Sequence, residues 1–211
     1  MKLVKITFIS LLAISIASCG NTTASADEQN ADNATNETVV AAPASYAINT
    51  GSSKIEWQGD VIGIYFHSGT INVANGTLST ENGAITGGEF TVDMNSMVTT
   101  DSNYKKEGDN VKMLGHLTTD EFFFVDSFPT SNFKITSFEN GVITGDLTIR
   151  GITHEEKVEN VTFEEKDGMI NASGKLVFGR RKYDIKWEHY LKDHTLSNDI
   201  TLNLNISGKA S

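Results

Sequence analysis

From Tyr46 onward, apolar residues recur at every second position. Ile55 and Trp57 alternate with Lys54 and Glu56, and Phe90, Val92 and Met94 with Glu89, Thr91 and Asp93. The same pattern runs through Ile143, Gly145, Leu147 and Ile149, and again through Ile200, Leu202, Leu204 and Ile206. A period of two places successive side chains on opposite faces of a strand, so these runs read as strands with one buried and one wet face. Asn82-Gly83, Asn140-Gly141 and Asp167-Gly168 each separate two such runs. Pairs of this kind supply the positive φ of tight hairpin turns and imply antiparallel pairing of sequence neighbours. A further pair, Asn75-Gly76, falls inside a run and reads as a bulge. About eight to ten strands result, enough to close an all-β, antiparallel up-and-down barrel that leaves no exposed edge. Residues 98–117 break the alternation and predict a long loop with a short helix between Thr100 and Leu117.

The N-terminus has a different character. Lys2 and Lys5 precede an apolar run from Ile6 to Ile16, followed by Ala17-Ser18-Cys19-Gly20. A basic start, a short apolar core and small residues before the cut make a secretory signal over residues 1–18. The run is too short for a spanning helix. Its ending looks like a bacterial lipobox, which makes Cys19 the lipidated first residue of an exported protein anchored to a membrane. Residues 19–45 are polar and low in complexity, and read as a tether between the anchor and a folded domain over residues 46–208.

Cys19 is the only cysteine. Acylated, it leaves no thiol for a disulfide, a redox pair or a cysteine nucleophile. The net charge of −10 argues against a nucleic-acid partner, which would demand a basic stripe. It argues equally against electrostatic docking on anionic lipid. There is no nucleophile elbow, P-loop or dinucleotide fingerprint. His189 and His194 have no standard zinc spacing, and His154-Glu155-Glu156-Lys157-Val158 lacks the second histidine of a zincin motif, so neither a metal nor a cofactor is expected.

Three segments together carry a family likeness: GGEFTVDMNSMVTTD (residues 87–101), GHLTTDEFFFVDSFPTSNFKIT (115–136) and GDLTIRGIT (145–153). With His67-Ser68-Gly69-Thr70-Ile71 upstream and Arg181-Lys182-Tyr183-Asp184-Ile185-Lys186-Trp187 downstream, they resemble the YceI-like family of polyisoprenoid-binding proteins. The resemblance implies a lipocalin-like barrel in the periplasm or beyond, whose apolar interior holds a long isoprenoid such as a polyprenyl phosphate or a quinone tail. The chain departs from the family pattern at Phe124, where Asp or Asn is usual.

Strand parity places Trp57, Phe90, Phe133, Leu147 and Trp187 on the inward face, together with Ile71, Val73 and Tyr183. Consecutive Phe122, Phe123 and Phe124 cannot all point inward, so Phe122 and Phe123 are expected to cap one end. His116 and Arg150 are candidates for a polar mouth that orients a ligand head. Each has a plainer alternative: a loop histidine bonded to backbone, and an arginine paired with a neighbouring carboxylate. Parity does not say whether the interior is hollow. Three functions therefore stand open: a non-enzymatic carrier of a long isoprenoid, an envelope lipoprotein with a solid barrel, and an enzyme on an apolar substrate using His67 or His116 as base.

Overall fold

The computed structural model describes residues 42–211; the expected leader, Cys19 and most of the expected tether lie outside the described residues. Nine strands follow in sequence: β1 (Ala44–Ile48), β2 (Lys54–Val61), β3 (Tyr65–Glu81), β4 (Ala84–Thr99), β5 (Thr130–Glu139), β6 (Val142–Ile149), β7 (Ile152–Lys166), β8 (Met169–Gly179) and β9 (Leu196–Ala210). One helix, α1 (Asp109–Thr118), occupies the second half of the non-alternating segment and runs one residue past it, and a short 3-10 helix (Arg180–Tyr183) follows β8.

All pairings are antiparallel, and β3 pairs with both β2 and β4, which closes the sheet into a barrel. The barrel has eight staves, because β1 and β2 share one of them. β1 bridges β3 and β9 at one end, through Tyr46↔Leu78 and Tyr46↔Ala210, while β2 bridges the same two strands at the other. Between them the chain steps outward at residues 49–53. There the Asn49 side chain accepts from the Gly51 and Ser52 amides, and Ser53 Oγ ties to the backbone of Ser207.

The three anticipated hairpin turns form, with φ of 54° and 73° at Asn82-Gly83 and similar pairs at Asn140-Gly141 and Asp167-Gly168. A fourth, Arg150-Gly151, joins β6 to β7 with φ of 52° and 72°. The register of β3 on β4 slips between Val73 and Asn75, so the bulge sits at Ala74, beside the expected Asn75-Gly76. This slip changes which parity faces inward: Ile71 and Val73 are buried before it, Leu78 and Thr80 after it.

Residues 183–187 correct the parity reading. Tyr183 ends the 3-10 helix and Trp187 lies in the irregular segment beyond it, so neither is on a strand. The cause is Arg180, whose fully buried guanidinium takes the carbonyls of Ile185, Trp187 and Ser197. Backbone acceptors drawn onto one cation are unavailable to a strand ladder.

Candidate functional site

The barrel interior holds two apolar chambers. The upper one, about 150 Å³, lies beneath α1 and is walled by Trp57, Val61, Ile71, Met94, Ile149 and Phe178 and roofed by Met113, Leu117, Phe122 and Phe123. The lower one, about 100 Å³, is walled by Val73, Leu78, Phe90, Phe133, Ile143 and Leu176, among others. Ile55, Val92, Ser131, Leu147 and Leu202 line both, so the chambers meet end to end at a waist. An engineered cavity of roughly 150 Å³ stays dry and accepts benzene. Each chamber therefore has room for about one five- or six-carbon group before any wall residue moves.

Among the candidates from sequence, Trp57, Phe122 and Phe123 border the upper chamber, Phe90 and Phe133 the lower, and Leu147 the waist. The other three lie outside the chamber walls and converge on Phe122 from behind. The rings of His116 and Trp187 stand 5.6 and 6.1 Å from the Phe122 ring, and 4.8 Å from each other. Arg150 Nη1 donates to the Phe122 carbonyl at 2.6 Å and to that of Asp184 at 3.3 Å. Arg150 and His116, expected at a polar mouth, line neither chamber. Arg150 is committed to backbone acceptors, while His116 Nδ1 faces Glu121 at 3.5 Å and its Nε2 is buried without a partner. These three residues hold the roof.

The ionisable side chain that borders the upper chamber is His67. It lies on β3 with the same parity as Ile71 and Val73, two positions inside the strand start. Its Nδ1 is 3.2 Å from Asp101 Oδ1, and its ring stacks on Tyr104 at 4.5 Å and leans on Tyr65 at 5.1 Å. Asp101, its side chain 5% exposed, also accepts from the amides of Ser68 and Asn103 and from the Tyr104 hydroxyl. Burial opposes ionisation of Asp101, but these donors together outweigh it and hold the carboxyl below its ordinary value. Tyr104 is pushed up to about 12, by burial and by the adjacent carboxylate. Alternation alone could have marked His67 as inward; nothing local could have paired it with Asp101, 34 residues on. No group of three or more His, Cys, Asp or Glu side chains suited to a metal occurs among the described residues.

A profile of the YceI-like domain matches residues 46–208, nearly the whole described part of the chain. The chain belongs to the YceI-like family. Two Staphylococcus aureus proteins, UPF0312 protein SAB2563 of strain bovine RF122 / ET3-1 and UPF0312 protein SAUSA300_2620 of strain USA300, are each 34% identical over 84 residues. The match takes in 36% of this chain and 48% of each of theirs, so the chain spans about half the length of these curated relatives. The YceI-like barrel recurs in the crystal structure of BcnA from Burkholderia cenocepacia, with a TM-score of 0.60 at 14% identity over 76% of this chain and 98% of that one. It recurs also in a polyisoprenoid binding domain from Saccharophagus degradans implicated in plant cell wall breakdown, with a TM-score of 0.50 at 10% identity over 79% and 98%.

Proposed function

We propose that this YceI-like chain binds a long-chain isoprenoid lipid without transforming it, and stores or carries it in the cell envelope from a membrane anchor at Cys19. The observation that carries the reading is the pair of carbon-lined chambers that lie next to each other inside the barrel, with Leu147 in the wall of both. A linear apolar tail fits two chambers in file as no compact ligand does. Burying methylenes contributes ~0.8 kcal/mol each, so about four C5 units give roughly 15 kcal/mol before ordering costs. Affinity then needs little polar recognition and no catalytic chemistry. The Saccharophagus domain of the same fold is described as polyisoprenoid binding, which supports the class of ligand.

The chambers are smaller than the roughly 300–1,000 Å³ of ordinary ligand sites. Loading a long tail therefore moves wall side chains, and Phe90, Phe133, Leu202 and Leu204 are among those only partly buried. A barrel serving only as scaffold would gain nothing from a hollow axis. The alternative, an enzyme with His67 as base and Asp101 as the partner that tunes it, would need a substrate whose reacting atom comes within hydrogen-bond reach of that ring. Native mass spectrometry of the full chain tests the proposal: co-purified or added isoprenoid should appear as a one-to-one adduct. Protein that stays empty with polyprenols and quinones in excess would overturn it.

A further inference from the structure

The reading that the barrel holds an isoprenoid leaves the head of that lipid unnamed, and the upper chamber constrains it. No lysine, arginine, aspartate or glutamate borders either chamber. Of the polar side chains that do, Ser131 is bonded to Met94, Asn132 to Thr91, and Ser173 to Thr162. The Trp57 indole N–H is buried without a hydrogen-bond partner. No hydrogen-bond partner of His67 Nε2 occurs among the described residues, and His67 is one of the residues that line the upper chamber.

The character of that nitrogen follows from its partner. A carboxylate can only accept, so the ring nitrogen facing Asp101 carries the proton. In the neutral ring the other nitrogen is then a bare lone pair, an acceptor and not a donor. The bond to Asp101, the stacked Tyr104 ring and the neighbouring Tyr65 ring hold the imidazole in place, so this lone pair has a set direction. A fixed acceptor in a carbon-lined chamber favours a ligand that brings a donor. It gives nothing to an ether or a quinone carbonyl, and no basic side chain on the walls meets the charge of a phosphate.

We infer that the upper chamber selects isoprenoids whose head carries a free hydroxyl, a prenol or a quinol, with His67 Nε2 accepting its hydrogen bond. Asp101 is a positioning residue that sets the tautomer. This inference rests on the proposed isoprenoid binding and narrows it to one head chemistry.

The test is equilibrium binding to the full chain, read by tryptophan fluorescence, with probes that share one C20 tail. Geranylgeraniol should bind about tenfold tighter than its methyl ether, the value of one good hydrogen bond in a dry site. Geranylgeranyl phosphate should bind no tighter than the ether. Menaquinol-4 should outbind menaquinone-4, and the size of that step against the prenol step distinguishes the two sources of hydroxyl. In His67→Phe the alcohol and the ether should bind alike. The probe series on the wild-type chain stands even where that variant fails to fold. Equal affinity for alcohol and ether, or a preference for phosphate, would overturn the inference while leaving isoprenoid binding intact. Failure of every probe to bind would overturn both.

Discussion

Trp57 and Gly69 lie on neighbouring strands, paired across β2 and β3, and the indole occupies the space that a side chain at position 69 would need. A Cβ built there would stand 2.7 Å from Trp57 Cζ2 and would also collide with the Val98 carbonyl oxygen on the strand beyond. The glycine thus lets a large aromatic lie along the chamber wall while β3 and β4 stay paired. Backbone cannot yield as a flexible side chain can. Gly69→Ala should cost about 3 kcal/mol in denaturant unfolding, at the top of the overpacking range. Unfolding within a few tenths of a kcal/mol of wild type would mean that the wall is not packed as described.

Phe124 adopts φ of 50°, a left-handed conformation that bulky side chains rarely take and Asn tolerates. The departure from the family pattern noted in the sequence therefore falls on a strained position in the loop that roofs the chamber. The Phe128 ring, 5.9 Å away, packs edge-on against it. Phe124→Asn and Phe124→Ala both lose that contact, and only Asn suits the backbone. The Asn variant should be more stable than the Ala variant by about 0.5–1 kcal/mol. Equal thermal unfolding of the two would remove the strain argument.

Much of this architecture is legible in the sequence because its causes are local. Alternation sets strand faces, and Asn-Gly or Asp-Gly pairs set three of the turns. The Arg150-Gly151 turn carries no such mark, because arginine has no preference for positive φ and the short connection imposes it. Tyr183, Ile185 and Trp187 alternate as a strand would, but Arg180 draws the carbonyls of Ile185 and Trp187 into another arrangement. The caps Phe122 and Phe123, the wall residues Trp57, Phe90 and Phe133, and Leu147 at the waist follow from parity and from the impossibility of three consecutive inward rings. The hollow along the axis and the His67–Asp101 pair depend on contacts between distant segments, which no local pattern encodes.

Asp101 makes stability pH-dependent. Its carboxyl is held below the ordinary 3.8, so its contribution is fully present above that value and is lost as pH falls through the folded-state value. Asp101→Asn places an amide among four donors and should cost about 1–3 kcal/mol at pH 7. Chemical denaturation of both proteins should show that gap narrowing below pH 4. A gap that stays constant down to pH 2 would show that the carboxylate is not the group responsible.

Cys19→Ser should release the protein from membranes while leaving its far-ultraviolet circular dichroism unchanged, because the anchor is proposed to lie apart from the barrel. Fractionation of cells expressing each form checks this. Retention of the variant in the detergent-soluble membrane fraction would contradict a lipid anchor at that residue.

Leu147 borders both chambers, and a larger side chain there tests whether one ligand runs through them. The decisive measurement is the binding ratio of geranylgeraniol to geraniol in wild type and in Leu147→Trp, with unfolding followed in parallel. If a tail passes the waist, the variant should lose about tenfold or more in affinity for the C20 alcohol, keep its affinity for the C10 alcohol, and unfold within ~1 kcal/mol of wild type. An unchanged ratio, accompanied by the ~1–3 kcal/mol destabilisation of an overpacked core, would contradict the account.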